Sequence, residues 1–459
     1  MAREILFNAF EMNCVVHQSP GLWRHRDDRS ADYKKLSAWL DLARTLERGL
    51  FDAVFIADVL GIYDVYGGSP AAALEHGIQV PANDPLLLVP AMAAVTEHLG
   101  FGVTVNLSFE HPFTLARRFS TLDHLTGGRV GWNIVTGYLE SASKAFGAET
   151  LTDHDTRYEI AEEYVSLVYR LWMESWQEGA ARFDRAGSVV VDPGKIERIL
   201  HDGKYFRLNA IHLCEPSPQR VPLIFQAGTS PAGRAFAGRH AEGIFVSGPT
   251  AGIVQRRVRQ LREEAERQGR GDDALRIFSL ATIITDETDA KAVKKAAEYA
   301  RHADPTGALV LASGWTGVNF SGLDPRSEVQ AVENNAGRSA LENLTQADPE
   351  RSWTVEEVGR HLSIGGVGPV FVGSPQRVAD ALEDWVEQTG VDGFNLTFAV
   401  RPETHESIVD LIVPELQRRG RYKTSYAQGT LRQKLFGAGA HPDPRHPAGK
   451  NRAGLTAPA

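Results

Sequence analysis

The chain has 459 residues, 42% of them hydrophobic, and a formal charge of −9. A chain of that length buries a large core, and its acidic balance excludes nucleic acid or an anionic membrane surface as the main partner. The two cysteines, Cys14 and Cys214, leave no disulfide framework and no paired-cysteine metal site; no run nears the ~20 apolar residues that span a bilayer, and the opening MAREILFNAFEMN has no long apolar leader core, so a soluble, cytoplasmic protein is expected.

Strand-like and helix-like segments alternate along the sequence. Residues 4–10 (EILFNAF) read as a first strand, and Leu36, Trp39, Leu40, Ala43 and Leu46 then recur at helical spacing. Residues 52–58 (DAVFIAD) read as a second strand, after which Asn83-Asp84-Pro85 opens an apolar helix with a capping side chain and a proline in the first turn. Further strands are expected at 101–108 (FGVTVNLS), 129–136 (RVGWNIVT), 221–228 (VPLIFQAG), 243–248 (GIFVSG), 277–285 (IFSLATIIT) and 394–398 (FNLTF). That makes eight strands, each followed by a helical pattern, which predicts an α/β fold closed as a (β/α)8 TIM barrel. One domain spans 1–437, with insertions near 61–82, 174–220 and 304–366 that are too long for routine connections and read as lids, extra strands or oligomer contacts. The Pro/Gly/Ala-rich stretch 438–459 reads as a flexible tail.

Several constellations could carry chemistry, and each has a plainer structural reading. In LIFQAGTSPAGRAFAGRHA a strand ends at Ala227-Gly228, and Ser230-Pro231 then starts a helix whose outward N–H groups suit a phosphate. The same grammar at Ser374-Pro375 shows that it also serves a well-capped helix. In DHDTRYEIAEEYVSLVYRLW, His154 and Tyr158 share one side of a first helical turn, which fits either a phosphate oxygen or surface capping by Asp153 or Asp155. Asp58 and Asn106, at strand C-termini, would meet a ligand at a barrel rim or cap a loop. NAFEMNCVVHQSPGLWRH crowds Phe10, Met12, Cys14, His17 and Trp23 at the same mouth, as a pocket for an apolar substrate or as a loop packing on itself. His111 and His124 read as structural. Dinucleotide glycine fingerprints, P-loops and paired-histidine metal patterns are missing, so no metal is expected.

RVGWNIVTGYLESASKAFG, HDTRYEIAEEY, QAGTSPAGRAFAGRHAEGIF and DAVFIADVLGIYDVYGG together resemble, in order, the bacterial-luciferase-like monooxygenases of the nitrilotriacetate and dibenzothiophene-sulfone class, from Glu4 to Gly437. NAFEMNCVVHQSPGLWRH, FIADVLGIYDVY and VPANDPLLL are most similar to the branch with long-chain alkane and dimethyl-sulfide monooxygenases. The resemblance implies a flavin-dependent monooxygenase that takes FMN as FMNH2 from a separate NAD(P)H-dependent flavin reductase. With O2 it would form a C4a-hydroperoxyflavin and oxygenate a small to medium, mainly apolar substrate of alkane, thioether or sulfone type. It further implies a homodimer or homotetramer. The flavin phosphate would lie by His154, Tyr158, Thr229 and Ser230, with Gly137, Ala227 and Gly228 giving backbone access and Asp58 and Asn106 at the isoalloxazine edge. Cys14, His17, Tyr63 and Tyr138 would take the catalytic positions, His17 as proton donor, and Phe10, Gln79, Asn83 and Leu311 would face the substrate. Tyr138 and Leu311 stand where the alkane-oxidising branch carries histidines, which brings sulfur and amine substrates level with alkanes. With no Arg/Lys cluster marking the pocket, aminopolycarboxylates fit less well. Other readings on this fold are a deazaflavin-dependent oxidoreductase and a non-catalytic flavin-binding protein.

Overall fold

The computed structural model describes residues 3–228, 230–329 and 353–450. Eight parallel strands close a barrel: β1 (Leu6–Met12), β2 (Ala53–Ala57), β3 (Gly100–Asn106), β4 (Val130–Val135), and, after two hairpins, β9 (Leu223–Gln226), β10 (Gly243–Val246), β11 (Arg276–Thr285) and β13 (Gly393–Thr397). The hairpins pair β5 (Ala181–Asp184) with β6 (Val189–Val191) and β7 (Ile199–Asp202) with β8 (Arg207–Ala210). The ring closes where β1 pairs with β13, setting Asn8 opposite Asn395, and where β10 pairs with β11. A ninth parallel strand, β12 (Val370–Gly373), pairs with the far end of β11. The TIM barrel and the places of its eight strands agree with the sequence reading, with strand ends shifted by one or two residues; β12, a short half-exposed run, was not among them.

Outward-facing strand residues such as Phe7, Val54, Phe101 and Trp132 pack on the surrounding helices as one core. Inside the barrel, Phe225 and Phe245 stack at 5.2 Å, Phe245 and Phe55 at 4.1 Å, and Phe55 and Phe10 at 5.2 Å. Gly131 makes room for that column, because a Cβ there would lie 2.6 Å from the Phe225 ring. The helix Leu431–Phe436 closes the barrel's N-terminal end, with Leu431 and Leu435 packed among the same phenylalanines. His111 and His124 are structural: His111 caps the helix Pro112–Thr126 by accepting from the Phe113 N–H, and His124 bonds the Glu215 carbonyl.

Two of the three long intervals cover the other end. The segment after β2 contributes Tyr63 and the short helix Ala71–His76, and the segment after β11 contributes the helix Pro305–Thr316; they share a buried cluster with Leu139. The tail is a correction. Part of 438–450 is packed: Ala448 is fully buried, buried His446 bonds the His240 carbonyl at 2.7 Å, and Arg432 donates to the Ala440 carbonyl at 2.7 Å. Residues 330–352 of the third interval and 451–459 of the tail lie outside the described residues. No helix among the described residues is long and apolar enough to cross a membrane.

Candidate active site

The C-terminal ends of the barrel strands open into a cavity of about 420 Å³. Its floor is the top of the aromatic column, Phe10, Phe55 and Phe245, with Thr104, Asn133 and Asn395 from the neighbouring strands. Asn133 donates to Thr104 Oγ1 at 2.9 Å, while its own Oδ1, and that of Asn395, are buried without a protein donor. Buried acceptors left unmatched in this way favour a ligand that donates.

One wall is a cradle built from two helix starts. Ser230 caps the helix Pro231–His240, its Oγ accepting from the Gly233 N–H at 3.1 Å, and the same oxygen lies 3.2 Å from His154 Nε2. His154 and Tyr158 stand in the first turns of the helix His154–Met173, rings 5.2 Å apart. The Tyr158 hydroxyl shares hydrogen bonds with Ser230 and Gln226, and burial pushes it above the ordinary phenol range. A Cβ on Gly228 would lie 2.8 Å from that hydroxyl, so backbone can approach here only through glycine. Arg157, 4% exposed, donates to the Gly137 carbonyl and lines the cavity, as does Arg257, which donates to the Ser247 carbonyl. Two guanidinium groups and a helix N-terminus give this wall the field an anionic phosphate needs.

Elsewhere the lining is mainly apolar. His17, nearly buried, meets Phe10 edge-on at 4.4 Å, and burial followed by the nearby Arg401 charge pushes its imidazole down to about 3. The ring is therefore neutral at physiological pH, able to donate one N–H but not to act as an imidazolium acid. Asp58 is the carboxyl at the rim; burial, then the Asp84 charge, push it up to about 7.

Residues 19–393 match the family model for luciferase-like monooxygenases. The chain belongs to that family. Dimethyl-sulfide monooxygenase of Hyphomicrobium sulfonivorans is 49% identical over 453 residues, covering 98% of this chain and 94% of the relative. Its crystal structure superposes with a TM-score of 0.92, covering 100% and 99% of the two chains. Long-chain alkane monooxygenase of Geobacillus thermodenitrificans is 42% identical over 439 residues, covering 96% of each, and its structure superposes with a TM-score of 0.91. A riboflavin lyase solved with modified FMN and riboflavin is 33% identical, with a TM-score of 0.92 over 98% of this chain and 100% of that one.

Within this luciferase-like barrel, the cavity brings together Phe10, His17, Asp58, Gln79, Gly137, Tyr138, His154, Tyr158, Ala227, Gly228 and Ser230. Thr229 lies outside the described residues. Five expected residues are not in the lining. Cys14 is fully buried, its Sγ 3.2 Å from the Val16 carbonyl, and burial pushes the thiol up to about 12, so it is a protonated, packed side chain. Asn106 turns its Oδ1 to the Ser108 N–H at 2.9 Å, capping the 3-10 turn Leu107–Phe109. Asn83 is exposed, and its N–H bonds the Asn13 carbonyl. Leu311 is fully buried in the cluster with Tyr63 and Leu139. Tyr63 also lies behind the lining, its hydroxyl bonded to the lining residues Tyr138 and Gln79.

The sequence reading missed Arg157, Gln226, Arg257 and Trp315. Arg157 could have been found: it follows His154 by three residues, a spacing that makes the two neighbours on the helix surface. With Arg257 it puts two guanidinium groups in the cavity lining. Ser374, with the same Ser-Pro grammar as Ser230, makes no side-chain cap; its N–H donates to Asp289 Oδ1 at 2.8 Å, away from the cavity.

Proposed function

We propose that this protein is the oxygenase component of a two-component system, taking FMNH2 from a separate NAD(P)H-dependent flavin reductase and using O2 to oxygenate a small, mainly apolar organic substrate. The observation that carries the reading is one cavity with a basic, glycine-edged phosphate cradle on one wall and aromatic and aliphatic side chains elsewhere. The residues fit the cofactor. Ser230, His154 and Tyr158 would hold the phosphate within the field of Arg157, and Gly137, Ala227 and Gly228 admit it along their backbone. The unmatched oxygens of Asn133 and Asn395, with Asp58, would accept from the N–H edge of the ring system. Bound reduced FMN would supply the two electrons that, with O2, send one oxygen atom to product and the other to water.

The protein's own part is placement and dryness. The phenylalanine floor and the covering Trp315 exclude water from the reacting atoms. Neutral His17 would donate one hydrogen bond from its N–H, and Asp58, its carboxyl pushed up to about 7, would be able to exchange a proton near neutral pH. Thioethers, alkanes and sulfones are all compatible with the lining; the identity to a dimethyl-sulfide monooxygenase favours thioethers. A cytoplasmic homodimer or homotetramer fits the family resemblance.

The test is turnover with a flavin reductase and NADH supplying FMNH2, offering dialkyl sulfides, sulfones and alkanes under isotopically labelled O2. Label in an organic product is the expected result. Hydrogen peroxide as the only oxygen product, with every substrate class, would overturn the proposal.

A further inference from the structure

Tyr138 and Trp315 form the part of the cavity wall that backs onto the two covering insertions. Directly behind them lie Tyr63, Leu139, Val310 and Leu311, all 3% exposed or less, and none of the four lines the cavity. The wall is held by its polar tips. The Tyr63 and Tyr138 hydroxyls are 2.5 Å apart, and Tyr63 donates to Gln79 Oε1 at 3.0 Å. Since the single Tyr63 proton goes to Gln79, the proton between the two phenols belongs to Tyr138. The Trp315 side chain bonds both hydroxyls, and Gln79 Nε2 ties the assembly to the His17 carbonyl at 3.4 Å. With those tips turned on one another, the wall offers the cavity ring carbon. Tyr63 cannot recede, because its ring lies against Gly314 so closely that a Cβ there would be 2.0 Å away.

The space in front of this wall is limited. A cavity of about 420 Å³ lies toward the small end of the range for a single drug-sized ligand. A tricyclic ring, its side chain and a phosphate take most of it, so a few heavy atoms of substrate fill the rest.

We propose that Tyr138, braced by Tyr63, is the wall that sets how long a substrate this cavity admits. The inference rests on the monooxygenase reading above and adds its selectivity: compact thioethers are accepted and extended chains are stopped at the Tyr138 ring.

Wild type, Tyr138→Phe and Tyr138→Ala are compared on methyl alkyl sulfides of increasing chain length, from dimethyl to methyl octyl sulfide. The readout is sulfoxide formed per FMNH2 supplied. Wild type should lose about ten-fold or more in yield for each methylene beyond its limit. Tyr138→Phe keeps the wall and should keep that limit. Tyr138→Ala should move the limit to longer chains, and Tyr138→Leu provides a smaller shift should the alanine variant fail to fold. A limit unchanged in both truncations, or moved as far by Tyr138→Phe as by Tyr138→Ala, overturns the inference. Thermal stabilisation of the flavin-free protein by the same sulfides reads the limit without turnover. A binding limit that moves with Tyr138 while no sulfide is oxygenated would keep the wall and overturn the monooxygenase reading.

Discussion

Replacing Asp58 by Asn isolates the one carboxyl in the cavity lining among the described residues. In the folded protein burial and the Asp84 charge hold the Asp58 proton up to about pH 7, against an ordinary value of 3.8. Between those values the folded chain binds one more proton than the unfolded chain, so ionisation of the unfolded carboxyl favours unfolding as pH rises. The slope for one group is about 1.4 kcal/mol per pH unit. Across the window from about 4 to 7 the native state loses up to about 4 kcal/mol, an upper bound because local opening toward solvent relieves part of it. Asparagine has no proton to lose, so the variant escapes this loss. Urea unfolding of flavin-free wild type and Asp58→Asn at matched pH reads the difference directly. The stability of the variant relative to wild type should climb through that window and level off above about pH 7. Glu11, which burial also pushes up to about 7 against the pull of Arg401, is common to both proteins and cancels. Parallel pH profiles would refute the argument and return Asp58 to the ordinary carboxylates.

Tyr158→Phe combined with Ser230→Ala should weaken FMN binding by calorimetry, at about 1.5–3 kcal/mol for each charge-assisted hydrogen bond removed; unchanged affinity would remove the cradle assignment. His17→Ala should lower coupled product yield while His17→Gln, which keeps a donor, retains most of it, and neither should shift a pH–rate inflection between about 5 and 8, since the imidazole is neutral there. Arg432 grips buried Glu242 through two hydrogen bonds of 2.6 and 2.8 Å and holds its carboxyl near 2. Arg432→Ala should cost about 3–5 kcal/mol in denaturant unfolding by stranding that carboxylate, and a loss under about 1 kcal/mol would show that the pair is replaceable.

What the sequence made legible was what repeats. Strands buried on both faces read as apolar runs, and their alternation with helical patterns is enough for a closed parallel barrel. β12 escaped because a four-residue strand at the end of the ladder has no burial pattern of its own. The cradle was legible for a local reason: His154, Tyr158, Gly228 and Ser230 sit in helix starts and strand ends whose geometry is fixed within a few residues. The substrate side was less so. Cys14, Asn83 and Leu311 lie in segments of the expected pattern, yet whether each faces the cavity depends on how the insertions pack on one another, a contact between residues more than two hundred apart. Arg257 is one of several arginines on the helix Ala251–Arg267, and only the tertiary fold distinguishes it from those that face solvent.

The pairing of β1 with β13, and the seal that residues 431–436 place under the phenylalanine column, have a consequence for how the protein is made. During synthesis the N-terminal strand emerges first and waits for a neighbour encoded almost at the other end of the message. Until residues 393–397 leave the ribosome, β1 is a bare edge with unpaired amides, the kind of surface that recruits other chains. Production of this enzyme should therefore be unusually sensitive to premature termination and to chaperone supply. Fragments ending before β13 should accumulate as aggregates while the full-length chain remains in solution.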